Sequence, residues 1–207
     1  MTLADEVAAD FASETAGHEL TVLHDDGLYR HLRIAAPGTG IWSWELITWP
    51  GYLTITGDIG AGFTFRADND MAPWFLASQR PNLRYWAEKL IGRHHRSAIA
   101  FDEDTLHDTA VSEINGWELS DTDREAATVQ LDDAWDAAWQ HTEHEYRGII
   151  DEYVFEATIT NRTVISGSEF RFPDSSEMAG ESFTRPYLLA CNAILHGLRL
   201  YAAQAAR

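Results

Sequence analysis

The chain has 207 residues, 45% of them hydrophobic, with eight Trp, nine Phe and seven Tyr. That is enough apolar surface for a sizeable core, and it excludes a largely disordered chain. A net charge of −18 excludes generic binding to duplex DNA, which needs a cationic footprint.

Other function classes fall away quickly. No run of about 18 apolar residues occurs, so no membrane-spanning helix is expected. The start MTLADEVAADF is acidic and amphipathic, unlike the basic-then-apolar order of a secretory leader. A lone Cys191 builds no disulfide framework. These features point to the cytoplasm and leave the sequon Asn161-Arg162-Thr163 without meaning. The charge is unevenly spread. Residues 1–96 hold 12 acids and 8 bases, residues 97–160 hold 17 acids and 2 bases, and residues 161–207 hold 4 acids and 5 bases. Lys89 is the only lysine, and that skew fits a GC-rich genome.

In chain order, residues 2–14 read as a short helix with Leu3, Val7, Ala8 and Phe11 on one side. A loop is expected next, then a turn at Asp25-Asp26-Gly27. Four alternating runs follow. Leu32 and Ile34 oppose His31 and Arg33; Trp42, Trp44 and Leu46 oppose Ser43 and Glu45; Leu53 and Ile55 oppose Thr54 and Thr56; Phe63 and Phe65 oppose Thr64 and Arg66. Turn signals separate the first three, and the Gly-rich IGAG connects to the last. The simplest reading is a four-stranded antiparallel meander with one apolar and one polar face. In TWPGYLTITGD, Pro50 sets a turn φ and Gly51 tolerates φ > 0, so this is first a hairpin. Gly57 allows a bulge or a close backbone approach.

Helices are expected next. Asp70 caps MAPWFLAS, and PNLRYWAEKLIG places Leu83, Trp86, Ala87, Leu90 and Ile91 at helical spacing with Gly92 as stop. Asp102 caps residues 103–115. Ser120 with Asp123 opens residues 121–140, and Thr142 with Glu145 opens a helix to residue 153. YVFEATIT and VISGSEFRF suit a second strand pair, and SSEMAGES reads as loop. Thr184 caps a last helix with Pro186 in its first turn, apolar enough to be central and buried. The fold class is therefore α+β: the meander packed against several helices, with a buried C-terminal helix. One domain spans 1–207, with a motif-bearing part at 20–96, an acidic helical part at 97–160, and return strands plus the final helix at 161–207.

HDDGLYRHLR, WPGYLTITGDIG, FTFR, DNDM and YWAEKL together resemble a family of small proteins encoded by phages and prophages. Members share a His-Asp-x-Gly-x-Tyr-Arg-His segment, a Trp-Pro-Gly-x-Leu-x-Ile-x-Gly-Asp segment, Phe-x-Arg, Asp-Met and Tyr-Trp-Ala-Glu-Lys. The match covers residues 24–90, with a weaker one over 184–201 that includes Tyr201; residues 97–160 carry none. The resemblance implies an accessory product in an infected or lysogenic bacterium. It implies no catalytic residues.

The sequence holds no nucleophile elbow or P-loop, and GDIGAG lacks dinucleotide spacing. Cys191 falls on an apolar helical face and reads as a core thiol. His141, His144 and Glu145 lack the His-Glu-x-x-His spacing and read as surface capping, and His94-His95 as a basic loop. No catalytic set, metal or cofactor is expected. The binding candidates are Arg30, His31, Trp49, Asp58, Arg66, Arg84 and Lys89. Guanidinium forks suit phosphate, an aromatic ring suits a base or ribose, and Asp58 suits orienting an arginine or accepting ribose hydroxyls. The bland alternative is an ordinary Asp–Arg surface pair.

The leading expectation is a host-defence inhibitor that binds a small phosphorylated ligand, such as a nucleotide second messenger, without turnover. A second is an acidic decoy that presents residues 102–156 to a basic host protein in the manner of DNA charge. A third is a nucleotide-cleaving enzyme using His31, Asp58 or His24 as acid–base groups. A homo-oligomer is compatible with all three.

Overall fold

The computed structural model describes residues 2–59, 62–92, 97–161 and 164–206. His94-His95, the Gly60-Ala61 half of IGAG, and Arg162-Thr163 of the sequon lie outside the described residues. The chain begins α1 (Leu3–Glu14), β1 (Glu19–Asp26), β2 (Tyr29–Ala35), β3 (Trp44–Trp49), β4 (Tyr52–Gly57), β5 (Thr64–Arg66), α2 (Met71–Leu76) and α3 (Leu83–Ala87). It continues β6 (Ile99–Phe101), α4 (Glu103–Gly116), α5 (Asp121–Asp136), α6 (Glu143–Glu152), β7 (Phe155–Asn161) and β8 (Val164–Phe170). A short 3-10 turn (Ser175–Glu177), β9 (Glu181–Phe183) and α7 (Arg185–Ala205) complete it. Two compact units result: residues 1–100 with 183–207, and residues 101–182.

The first unit is α+β. Its antiparallel sheet runs β1-β2-β3-β4-β5 in sequence order. β2 to β5 are the four strands that alternation predicts, but β3 begins only at Trp44 and β5 at Thr64, so Trp42, in a turn at φ +58, and Phe63 lie outside them; β1 occupies the segment expected to be loop. Leu20 and Val22 pack on the core, but the strand is largely exposed, and a register shift between Val22 and His24 breaks the period of two. The turn falls at Gly27-Leu28, with Gly27 at φ +62; Asp25 and Asp26, expected in the turn, are instead the last residues of β1, paired with Arg30 and Tyr29.

One sheet face is apolar. Leu32, Ile34, Trp44, Leu46, Leu53 and Ile55 are fully buried and form one core with residues of α1, α2, α3 and α7. Each such side chain removed from water contributes about 1.5–3 kcal/mol. α7 is central as expected, with Tyr187, Leu188, Cys191, Ile194 and Leu198 buried. At Gly197 a Cβ would meet Ile34 Cδ1 and Leu46 Cδ1 at 2.9 Å, so this glycine lets the helix settle onto the sheet. Thr184 precedes α7 as its N-cap, but its hydroxyl makes no cap bond; it donates to Ser97 O at 2.7 Å.

α3 is shorter than its apolar spacing predicts. It stops at Ala87, and residues 89–91 run beside β5: Arg66 N donates to Lys89 O (2.8 Å), and Ile91 N donates to Thr64 O (3.0 Å). β5 is three residues long and leaves backbone groups to satisfy. Pairing them outweighs continuing the helix.

The second unit holds α4, α5, α6 and the antiparallel pair β7-β8. Asp102, Ser120 and Thr142 cap the three helices as their sequences predict. Leu106, Ile114, Ala127, Leu131, Tyr146 and Ile150 form its core. Tyr153 is buried, donates to Ala127 O at 2.6 Å, and has its phenol pushed up to about 12 by desolvation. Across the sequence this unit carries 21 acids and four bases, net −17, against 12 acids and 11 bases, net −1, for the first. Among the described residues, no helix is long and apolar enough to cross a membrane.

Candidate functional site

The TWPGYLTITGD stretch organises one end of the sheet. Pro50-Gly51 is a two-residue turn with Gly51 at φ +84. It brings Trp49 opposite Tyr52, their rings stacked at 5.1 Å and 13°. The turn also holds the next segment: Gly51 N donates to Asn69 O (3.0 Å) and Ala67 N donates to Gly51 O (3.2 Å). Those bonds deliver Asp70 to the start of α2, where its carboxylate accepts from Ala72 N at 3.1 Å. At the other end of β4, Gly57 has φ +117, and a Cβ there would lie 2.6 Å from Ser43 O. Asp58 N donates to that same carbonyl at 2.9 Å. So Gly-Asp closes β4 by backbone, and the Asp58 carboxylate is left exposed.

The seven sequence-derived candidates separate by strand position and parity. Arg66 pairs with Tyr52 across β5 and β4. Asp58 lies six residues further along, about 20 Å at the rise of a strand, so the two do not meet. Arg30 is level with Thr48, near the Tyr52 end, but shares parity with Leu32 and Ile34 and faces the helices. His31 faces the opposite way and is held by Glu45, Nε2 to Oε2 at 2.7 Å; Glu45 also accepts from Arg33 at 3.2 Å. Arg84 is exposed on α3. Trp49 reaches Arg66 through one intervening ring, since the Arg66 guanidinium lies 5.6 Å from the centroid of Tyr52.

Arg66 and Lys89 do come together. They line an open depression of about 490 Å³ with Ala67, Asp68, Trp74 and Tyr85. The stop of α3 at Ala87 and the pairing of residues 89–91 with β5 set Lys89 beside Arg66. Lys89 Nζ lies 4.6 Å from the Tyr85 centroid, and Tyr85 lies 5.6 Å from Trp74. Trp74 is braced from within by Phe75 at 4.8 Å, and Phe75 by Trp86 at 4.6 Å. Neither cation forms a salt bridge among the described residues. The result is a row of rings with two positive charges against them, on rigid backing.

Arg30 is committed elsewhere. It donates to both oxygens of Asp70, at 2.8 and 3.0 Å, and its Nε donates to the Tyr201 hydroxyl at 3.3 Å. Tyr201 in turn donates to Asp25 at 2.7 Å. The Arg30 fork holds the Asp70 carboxyl below its ordinary range, and Asp70 raises the guanidinium. Desolvation, then the bond to Asp25, raises the Tyr201 phenol. This network joins β2, α2 and α7, which makes Arg30 a positioning group. Cys191 is fully buried, and burial pushes its thiol up, in keeping with a core role. Glu145 accepts from Trp139 N and Gln140 N, and His141 bonds the Tyr146 hydroxyl at 2.7 Å, so both serve a loop and helix start.

Sequence reasoning missed Tyr52, Asp68, Trp74 and Tyr85. Parity carried the signal for Tyr52, which alternates with Leu53 and so shares the face of Thr54 and Arg66. Tyr85 and Lys89 are four apart, a spacing that helical geometry already brings together; what spacing did not show is the meeting of Lys89 with Arg66, which follows from the pairing of residues 89–91 with β5. Against protein-family models, curated proteins and solved structures alike, the chain has no match.

Proposed function

We propose that the first unit binds a small phosphorylated nucleotide ligand in the Arg66–Lys89 depression and holds it without turnover. One observation carries the reading: two cations free of carboxylate partners among the described residues share one hollow with Trp74 and Tyr85. Arg66 and Lys89 would meet the phosphate, Tyr85 and Trp74 the planar base, and Asp68 a ribose hydroxyl. With the resemblance to phage-encoded accessory proteins, this is a sponge for a nucleotide second messenger in the cytoplasm of an infected or lysogenic bacterium. Melting the protein against a nucleotide library tests it. Cyclic and linear nucleotides should raise the melting temperature, and denaturation should return them at unchanged mass. Arg66→Ala should weaken binding at least about tenfold. An altered ligand mass would instead mean an enzyme.

A second reading rests on the charge segregation, 21 acids against four bases in residues 101–182. Such a surface would steer a basic protein partner quickly and in a salt-dependent way. It predicts a pull-down of basic host proteins that is lost at high salt and is indifferent to Arg66→Ala.

A further inference from the structure

A second concavity lies in the first unit, bounded by α1, α7 and the segment 79–83. Its larger part is a hollow of about 480 Å³ whose apolar lining includes Ala4, Ala8, Ala9, Leu83 and Leu188. A smaller hollow of about 190 Å³ adjoins it, lined in part by Phe11, Leu195, His196 and Arg199. Ala8, Arg80, Pro81 and Asn192 line both, so the two form one cleft. A mostly apolar wall with a few polar groups at one end, at this volume, is the character of a small-molecule site.

We propose that this cleft binds a small amphipathic anion, an aliphatic carboxylate. Its chain would lie along the alanines of α1, and its head would reach Arg80, where the hollows join, and Arg199 in the smaller one. Three features converge. The α1 wall is built of Ala4, Ala8 and Ala9, which leave space that larger side chains would fill. Arg80 is exposed and forms no salt bridge among the described residues. Arg199 donates to Gln79 O, which fixes its guanidinium beside the same segment. His196 lines the smaller hollow, and its Nε2 is buried with no hydrogen-bond partner among the described residues. Burial, then His18 and Arg199, lower its pKa. Asp5 also lines the larger hollow; its carboxylate accepts from Thr2 in the α1 cap and also feels Arg80, so a bound carboxylate head competes with it for that guanidinium.

Decanoate is the probe, with decanol and decyltrimethylammonium as controls of equal chain length. Calorimetry should show saturable one-to-one decanoate binding, and NMR titration should show the His196 pKa rising when decanoate is bound. Decyltrimethylammonium should not bind. Arg80→Ala should weaken decanoate at least about tenfold, Ala8→Phe should block it, and Arg66→Ala should leave it unchanged. If Ala8→Phe fails to fold, the exposed Arg80 variant still decides. Absence of binding, equal uptake of the cationic amphiphile, or binding indifferent to Arg80→Ala would overturn the proposal.

Discussion

Arg30 and Asp70 show how a charged pair can serve architecture. The fork is largely buried at the guanidinium and 30% exposed at the carboxylate, so its loss costs less than that of a fully buried pair. Asp70→Asn keeps a competent helix cap while removing the charge, and should destabilise the first unit by about 1–2 kcal/mol in urea melts. Because the folded Asp70 carboxyl is lowered from 3.8, its contribution is present above that value and is lost as pH falls through the lower, folded one. The variant should lack this acid limb. His196 has the same sign from a different cause, burial of the ring. Its folded pKa lies below 6.5, so it is neutral in both states above that pH and contributes nothing there. As pH falls below 6.5, the unfolded chain takes up a proton that the folded one resists, and stability declines until the folded pKa is reached. His196→Gln should flatten that part of the melting-temperature profile. Gly57→Ala should cost more than 2 kcal/mol, since it meets both a strained φ and a carbonyl at 2.6 Å.

At the scale of elements, alternation and caps made most of the architecture legible. β2 to β5 follow from strict period two, and α4 to α6 from Asp102, Ser120 and Thr142. β1, the three-residue strands β6 and β9, and the early stop of α3 escaped. β1 is an exposed edge whose bulge breaks its period, so Leu20 and Val22 alone could not announce it. α3 has helical spacing through Ile91, yet β5 needs a partner for its outer backbone groups, and that tertiary demand overrides local propensity. The candidate site suffered most, because it depends on that override: Lys89 meets Arg66 as part of a strand-like run. Arg30 was readable in principle, since it shares parity with Leu32 and belongs with the helix-facing side. Gly197 tests the helix–sheet contact directly. Gly197→Leu should overpack against Ile34 and Leu46 and cost about 3 kcal/mol or abolish folding, measured by circular dichroism on denaturant titration.

Across the whole molecule, the charge divides with the chain. The first unit is near neutral, and in its depression Arg66 and Lys89 outnumber the one lining acid, Asp68. Residues 101–182 carry net −17, and such self-repulsion weakens with screening. The melting transition of residues 101–182, followed by hydrogen exchange, should therefore move upward between low and about 0.5 M salt, more than that of the sheet. A ligand anion at Arg66 and Lys89 should lose affinity over the same range, so binding is best read at low ionic strength. The most direct measurement is calorimetric titration of the wild-type chain and of Arg66→Ala and Lys89→Ala with whichever nucleotide shifts its melting most. Saturable binding by the wild type, with each variant at least about tenfold weaker and the ligand recovered intact, is the predicted result. Wild-type affinity retained in both variants, or no nucleotide bound at all, would contradict it.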